Sequence, residues 1–268
     1  MIESLGISEN TLRMSVFFGV FAFMAALEFI FPRVPRSLPR GQRWLTNSLI
    51  VVIDSLALRI LLPMLAVGMA TYASNNDIGL FNQIHLPLWF EVILAIILLD
   101  AAIYLQHWAS HKLPILWRFH QVHHADRDID VTTALRFHPI EILLSMLYKL
   151  LLVFILGPAA LAVLLFEVIL NASAMFNHSN MKIPLFVDKW LRRMIITPDM
   201  HRVHHSVYPV ETNSNYGFFL SIWDRLFRTY IAQPQDGHTS MCIGLSEYQT
   251  NQPASLIWSL SVPFKSKK

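Results

Sequence analysis

The chain is written as long apolar blocks separated by short polar loops, and each block approaches the roughly 20 residues that a helix needs to cross a bilayer. The first runs from about Met14 to Phe31, interrupted only by Glu28, and stops at Pro32. The second, about Leu45 to Tyr72, carries Asp54 and Arg59 within it. The third, LWFEVILAIILLDAAIYLQHW, ends beside a histidine, and a fourth apolar stretch extends from Ile140 to Phe176. Gly157 and Pro158 break that last stretch near its middle, which predicts a hairpin of two helices that returns to the side it entered from. The pattern therefore predicts an all-α integral membrane helical bundle of about four to five transmembrane or hairpin helices.

Loop charge gives the bundle a predicted orientation. RVPRSLPRGQR holds Arg33, Arg36, Arg40 and Arg43 with no acid among them, which places it in the cytoplasm by the positive-inside rule. ASNNDIGLFNQIHLP has neither Lys nor Arg and falls on the opposite side. From His178 to Lys268, ending in KSKK, the chain is expected to be cytoplasmic or interfacial and to cap the helical core. Every histidine except His85 then lies on one side, as a cytoplasmic histidine-rich helical cap. Glu3 and Glu9, with no basic segment ahead of the first block, predict a retained span rather than a cleaved signal peptide.

Composition supports lipid as the solvent: 54% of residues are hydrophobic and 15% charged, against roughly 25% charged in an ordinary soluble domain. The formal charge of +3 is carried in short runs between apolar segments, so it reads as membrane-flanking charge and not as a nucleic-acid surface. The single cysteine, Cys242, excludes an internal disulfide, a four-cysteine zinc site and an iron–sulfur cluster held by this chain alone. Six ionisable residues fall within the apolar blocks: Glu28, Asp54, Arg59, Glu91, Asp100 and Glu167. Pairing between helices or snorkelling accounts for most residues of this kind. Asp100 stands out because it lies two helical turns before His107, on the same face.

The chemistry is concentrated in histidine. HWASH places His107 and His111 at i and i+4 on one helix face. HQVHH places His120, His123 and His124 at i, i+3 and i+4, and HRVHH repeats the pattern with His201, His204 and His205. His138 in RFHP and His178 in NHSN lie between the clusters, whereas His85 and His238 sit in loops and read as solvated surface. A lone histidine in an apolar chain is usually a hydrogen-bonded core residue, but clusters at ligand spacing point to metal. Eight clustered imidazoles exceed what one four- to six-coordinate ion can use, so two metals are implied. Imidazole alone does not select the metal. The hydrolytic HExxH arrangement is absent, and an all-imidazole pair of redox-active ions suits oxygen activation on hydrocarbon substrates, which favours iron over copper and zinc. A metal-binding or metal-transporting membrane protein without oxygenase activity is the alternative.

The order and spacing of these motifs resemble the fatty acid hydroxylase and sterol desaturase superfamily of membrane diiron enzymes. The resemblance covers about Leu98 to Tyr230 and includes HWASH, WRFHQVHHAD, TTALRFHPIE, NHSN, TPDMHRVHHS and NSNYGFFLSIWDRLFRTY. It implies two Fe ions, O2 as co-substrate, a lipid substrate that is hydroxylated or desaturated (sterol, fatty acyl or related), and electrons from a separate cytochrome, ferredoxin or reductase. It implies as ligands His107, His111, His120, His123, His124, His178, His201, His204 and His205. His138, at the family's His-Pro-x-Glu position, is a tenth candidate, either ligating or supporting, with Glu141 placed to orient it. Asp126, Asp130, Asp199 and Asp224 are candidates to accept the outer ring N–H of ligating imidazoles. Asn215, Tyr216 and Gly217 with Trp223, Asp224 and Arg225 resemble the closing segment that packs under the site. Arg228 departs from the family's usual Phe-Gly-Thr and puts the local turn in question. The implied division is residues 1–97 as N-terminal membrane helices, 98–232 as a hydroxylase-like catalytic domain, and 233–268 as a cytoplasmic tail.

Overall fold

The computed structural model describes residues 8–265; Glu3 and residues 266–268 of the KSKK tail lie outside them. Prolines and short polar caps set the helix boundaries. Helix α1 (Glu9–Ile30) is capped by Ser8, whose hydroxyl accepts from the Thr11 amide at 3.1 Å. Helix α2 (Arg40–Leu61) begins after Pro39 and ends ahead of Pro63, so the second apolar block, expected as one span, is broken, and the chain restarts as α3 (Ala66–Asn75). A short turn, α4 (Leu80–Gln83), leads to α5 (Leu88–Lys112), and Pro114 opens α6 (Pro114–His124) after a sharp corner at Leu113. Helices α7 (Pro139–Leu156) and α8 (Ala160–His178) form the expected hairpin, with Gly157 in the left-handed conformation (φ 62°) ending α7. Two short helices follow, α9 (Leu185–Leu191) and α10 (Pro198–His204).

Five helical stretches are long and apolar enough to cross a bilayer: Glu9–Ile30, Arg40–Gln83, Leu88–Lys112, Pro139–Leu156 and Ala160–His178. Among the described residues no strand forms beyond isolated bridges such as Pro32 with Met181. The chain is thus an all-α, multi-pass membrane protein. Its helix contacts follow the rule for a lipid solvent, where close approach and not water exclusion drives association. Ala66, Ala70, Ala73, Ala95 and Ala162 are fully buried at the crossings, while large side chains such as Phe23, Ile60, Leu61 and Ile155 point outward. One core joins Ala66 and Ala70 of α3, Leu99 and Ile103 of α5, Val153 of α7, and Val163 and Phe166 of α8. At one end of the bundle the hairpin turn presses against the α3–α5 connection, where a Cβ on Gly79 would lie 2.4 Å from the Gly157 nitrogen. The nine grouped histidines lie at the other end.

Most of the ionisable residues in the spans are paired. Glu167 binds Lys149 at 2.8 Å and Arg13 at 2.7 Å, and Glu91 accepts from the Ala159 amide at 2.7 Å. Asp100 accepts from the Trp223 indole at 2.8 Å and the Leu220 amide at 3.1 Å, so it braces the closing segment and does not reach a histidine. Arg59 is exposed, and Asp54 is buried with Oδ1 unpartnered. The basic loop is less solvated than its charge suggests. Arg43 is 1% exposed and grips Asp126 through two bonds of 2.7 and 2.8 Å, Arg36 binds Asp130 and Glu28, and Arg33 binds Asp199.

Candidate metal centre

Nine histidines converge in two adjoining groups. His107, His111, His120, His124 and His204 form one, and His123, His178, His201 and His205 form the other; within each, one nitrogen per ring lies within 4.8 Å of every other. Helix geometry explains the division. In each HxxHH the outer histidines stand one turn apart, while the middle one lies about 60° around on the other flank. HQVHH therefore gives His120 and His124 to the first group and His123 to the second. HRVHH does the reverse, giving His201 and His205 to the second and His204 to the first. Helix α5 supplies the i, i+4 pair His107 and His111, and His178 arrives at the end of α8.

The outer ring nitrogens settle what the inner ones present. His107 Nδ1 donates to the Tyr216 carbonyl at 2.7 Å, His204 Nδ1 to Ser214 at 2.6 Å, His178 Nδ1 to Ala174 at 2.7 Å and His123 Nδ1 to Arg136 at 3.2 Å. A carbonyl only accepts, so each of these rings carries its proton on Nδ1 and leaves a bare lone pair on Nε2. His120 Nδ1 likewise faces Glu141 Oε1 at 2.6 Å. Those lone pairs point at one another: Nε2 of His107 lies 3.1 Å from that of His204 and 3.1 Å from that of His120, and Nε2 of His178 lies 3.0 Å from that of His123. Two facing lone pairs repel unless a cation sits between them. Ligands about 2.1 Å from one ion and at right angles lie about 3.0 Å apart, so the spacing fits neighbouring positions on a metal. His111 and His205 are unpartnered at both ring nitrogens and His201 at Nδ1, as metal ligands without further acceptors would be.

The electrostatics agree. Burial, reinforced by neighbouring imidazoles, holds His123, His124, His201 and His205 well below the ordinary histidine range, and His204 is pushed down to about 3. The rings are thus neutral, the form that binds metal. An aromatic wall surrounds them: Phe137 stacks on His123 at 4.3 Å between ring centres, Trp117 lies 5.0 Å from His111, and Phe218 lies 4.9 Å from His107.

The other candidates lie outside the two groups. His138 stands outside both groups, as the N-cap of α7: its Nδ1 accepts from the Ile140 amide at 3.2 Å and its Nε2 donates to the Leu260 carbonyl at 3.3 Å. Pro139 at the first helical position is the sequence signal for that role. Glu141 orients His120 and not His138. The four aspartates do not contact the outer nitrogens of the grouped histidines. Asp126 and Asp130 bind Arg43; burial pushes both carboxyls up, but the Arg43 charge, its hydrogen bonds and a second arginine near each (Arg136 for Asp126, Arg36 for Asp130) together hold both below the usual range. Asp199 binds Arg33. Asp224 accepts from the amides of Tyr216 at 2.8 Å and Gly217 at 3.0 Å, and so supports His107 one step removed, through the Tyr216 carbonyl. A Cβ on Gly217 would lie 2.6 Å from Ile196 and 2.9 Å from Asp224, so a larger residue there would have to displace one of those side chains. Arg228 adopts φ 58°, the left-handed turn that a glycine would take without strain. His85 is exposed as expected, but His238 is 7% exposed and packs beside Asp199 at 3.7 Å. Sequence reasoning missed the backbone carbonyls that fix the tautomers, because any residue type can supply one.

A membrane-embedded helical bundle that gathers nine imidazoles into two adjoining groups defines a polyhistidine membrane protein whose clusters could each hold a metal ion. The chain belongs to the fatty acid hydroxylase family, whose model matches residues 92–229. It is 30% identical to an ornithine lipid hydroxylase of Rhizobium tropici over 160 residues, 59% of this chain and 46% of that protein. It is 31% identical to the alkylglycerol monooxygenase of Xenopus tropicalis over 174 residues, 61% of this chain and 35% of that one. A cholesterol 25-hydroxylase of Rattus norvegicus is 24% identical over 157 residues, 58% of this chain and 50% of that one. The chain spans about half the length or less of these curated relatives. No solved structure matches it.

Proposed function

We propose that this chain is a membrane oxygenase that hydroxylates or desaturates a C–H bond of a lipid, with two irons held by His107, His111, His120, His124 and His204 on one side and His123, His178, His201 and His205 on the other. The observation that carries the reading is the convergence of Nε2 lone pairs at 3.0–3.1 Å, with Nδ1 pinned behind them by backbone carbonyls. When bound, the irons supply the activation of O2 that an unactivated C–H bond requires. Hydroxylation consumes one O2, two electrons and two protons and yields the alcohol and one water; desaturation consumes the same and yields the alkene and two waters. Electrons come from a separate cytochrome, ferredoxin or reductase.

The protein's own part is to orient and to exclude. Glu141, Tyr216, Ser214, Ala174 and Arg136 hold five imidazoles in one tautomer, and Trp117, Phe137 and Phe218 keep bulk water from the rings. Residues 98–232 form the catalytic part in this reading, residues 1–97 the membrane anchor and 233–268 a covering tail, with the histidines on the cytoplasmic side. Metal transport, the alternative that the histidines alone allowed, is disfavoured by the family. The test is metal analysis of the purified protein together with lipidomics of cells with and without the gene. Close to two irons per chain and an oxygen-dependent lipid mass change of one oxygen or two hydrogens are expected. A single zinc per chain, with no oxygen-dependent product, would overturn the proposal.

A further inference from the structure

A cavity of about 260 Å3 lies beside the first histidine group, enclosed by α5, α6 and α7. Its walls are Leu105 and Ala109 of α5, Leu116 and Phe119 of α6, and Leu144 and Tyr148 of α7, with Gln106, Ser110 and Glu141 as its polar members. Two features set it apart from a packing void. It adjoins the chemistry, because Glu141 in its wall is the carboxylate that holds His120, while Gln106 and Ser110 directly precede His107 and His111. It also reaches the lipid-facing surface, because Leu105 and Leu144, on two membrane-spanning helices, are 46% and 41% exposed.

Resting on the oxygenase reading, we infer that this cavity binds one alkyl chain of the lipid substrate, which enters sideways from the bilayer between α5 and α7. The chemistry of the walls selects that occupant. The lining is predominantly aliphatic and aromatic, which suits hydrocarbon and gives a headgroup few partners. The cavity opens toward the bilayer, so a flexible chain can seat part of its length there and leave the rest in lipid. A chain lying there passes the His120 and Glu141 side of the first group, so the cavity's depth sets which carbon is presented. Ala109 and Leu144 are then specificity-determining positions.

The test uses the full-length, iron-loaded protein in lipid nanodiscs and a palmitate probe carrying a diazirine at its chain end. Illumination is expected to label the peptides containing Leu105–Ser110 and Leu144–Tyr148, and unlabelled palmitate should compete while cholesterol should not. Ala109→Phe and Leu144→Trp each narrow the slot and are expected to cut that labelling about tenfold or more with iron content unchanged. Two variants are used so that misfolding of one leaves the other to decide. Labelling confined to outward-facing residues, or labelling in these peptides that neither variant reduces, overturns the inference. Neither result touches the oxygenase reading, which iron content and oxygen-dependent product decide. Conversely, specific labelling without oxygen-dependent turnover leaves the chain-binding cavity in place and removes the oxygenase.

Discussion

A ligating imidazole is only as well placed as the acceptor behind it, and in this chain those acceptors are mostly main-chain carbonyls. Glu141 is the side-chain exception, at 2.6 Å from His120 Nδ1. Glu141→Gln keeps the shape but removes the charge, and is expected to lower metal affinity or activity by about 10- to 100-fold, read as metal retained against a graded chelator. His138→Ala should behave differently. It removes a helix cap, costing about 0.5–2 kcal/mol in a denaturation midpoint, with metal content close to wild type. Loss of metal as complete as in His204→Ala would return His138 to the ligand set. The buried rings also predict a pH dependence. Their folded pKa values lie below the unfolded 6.5, His204 at about 3, so below pH 6.5 the unfolded chain binds more protons than the folded one. Metal-free protein should hold its full stability above about pH 6.5 and lose it progressively as pH falls toward about 3, followed by tryptophan fluorescence during heating. A flat profile across that window would show the rings to be solvated. Eight of the nine grouped histidines were legible in the sequence because spacing on a helix reveals shared faces, and His178 through the family resemblance alone. His138 stayed open between ligation and support because its motif looks the same whether the imidazole caps a helix or binds a metal.

At the scale of elements, the helices were read well and the loop between the first two was read only by its charge. Arg33, Arg36 and Arg43 turn inward to carboxylates, tying the start of α2 to the segment after α6 and to Asp199 in α10. Sequence shows that arginines are present but not that acids far along the chain claim them. Removing one partner of a buried ion pair strands the other, at a cost of about 3–5 kcal/mol. Arg43→Met, which leaves Asp126 and Asp130 without their main cation, should therefore lower thermal stability sharply, whereas Arg59→Met on the exposed face should leave it almost unchanged. Equal melting temperatures for the two variants would show that the buried cluster adds little. The broken second block has a plain cause: Pro63 lacks the amide that would continue α2.

For the whole molecule, all five long helices bring the histidine end to one pole and the Gly79–Gly157 contact to the other. Sidedness in the membrane then reduces to one binary outcome. An epitope in the loop of residues 73–87 should be reached by antibody from the non-cytoplasmic face of sealed vesicles, and one after Lys268 only when they are opened. Access to both from the same face would invert or break the arrangement. The inward turn of three arginines weakens the charge signal that predicted this orientation, so the experiment carries weight. The covering tail has a consequence of its own. Arg136, whose carbonyl receives the His123 proton, is held by Pro253 and Ser259, and Trp258 and Val262 pack on Val122 and Ala125 of the same histidine-bearing turn. During synthesis the helices enter the membrane before that tail leaves the ribosome, and even the HRVHH segment emerges ahead of it. In the proposed two-iron reading, the second ion is seated firmly only once residues 253–262 have left the ribosome, so metal loading follows membrane insertion in time, and a chain stalled short of Pro253 is expected to insert without holding that ion.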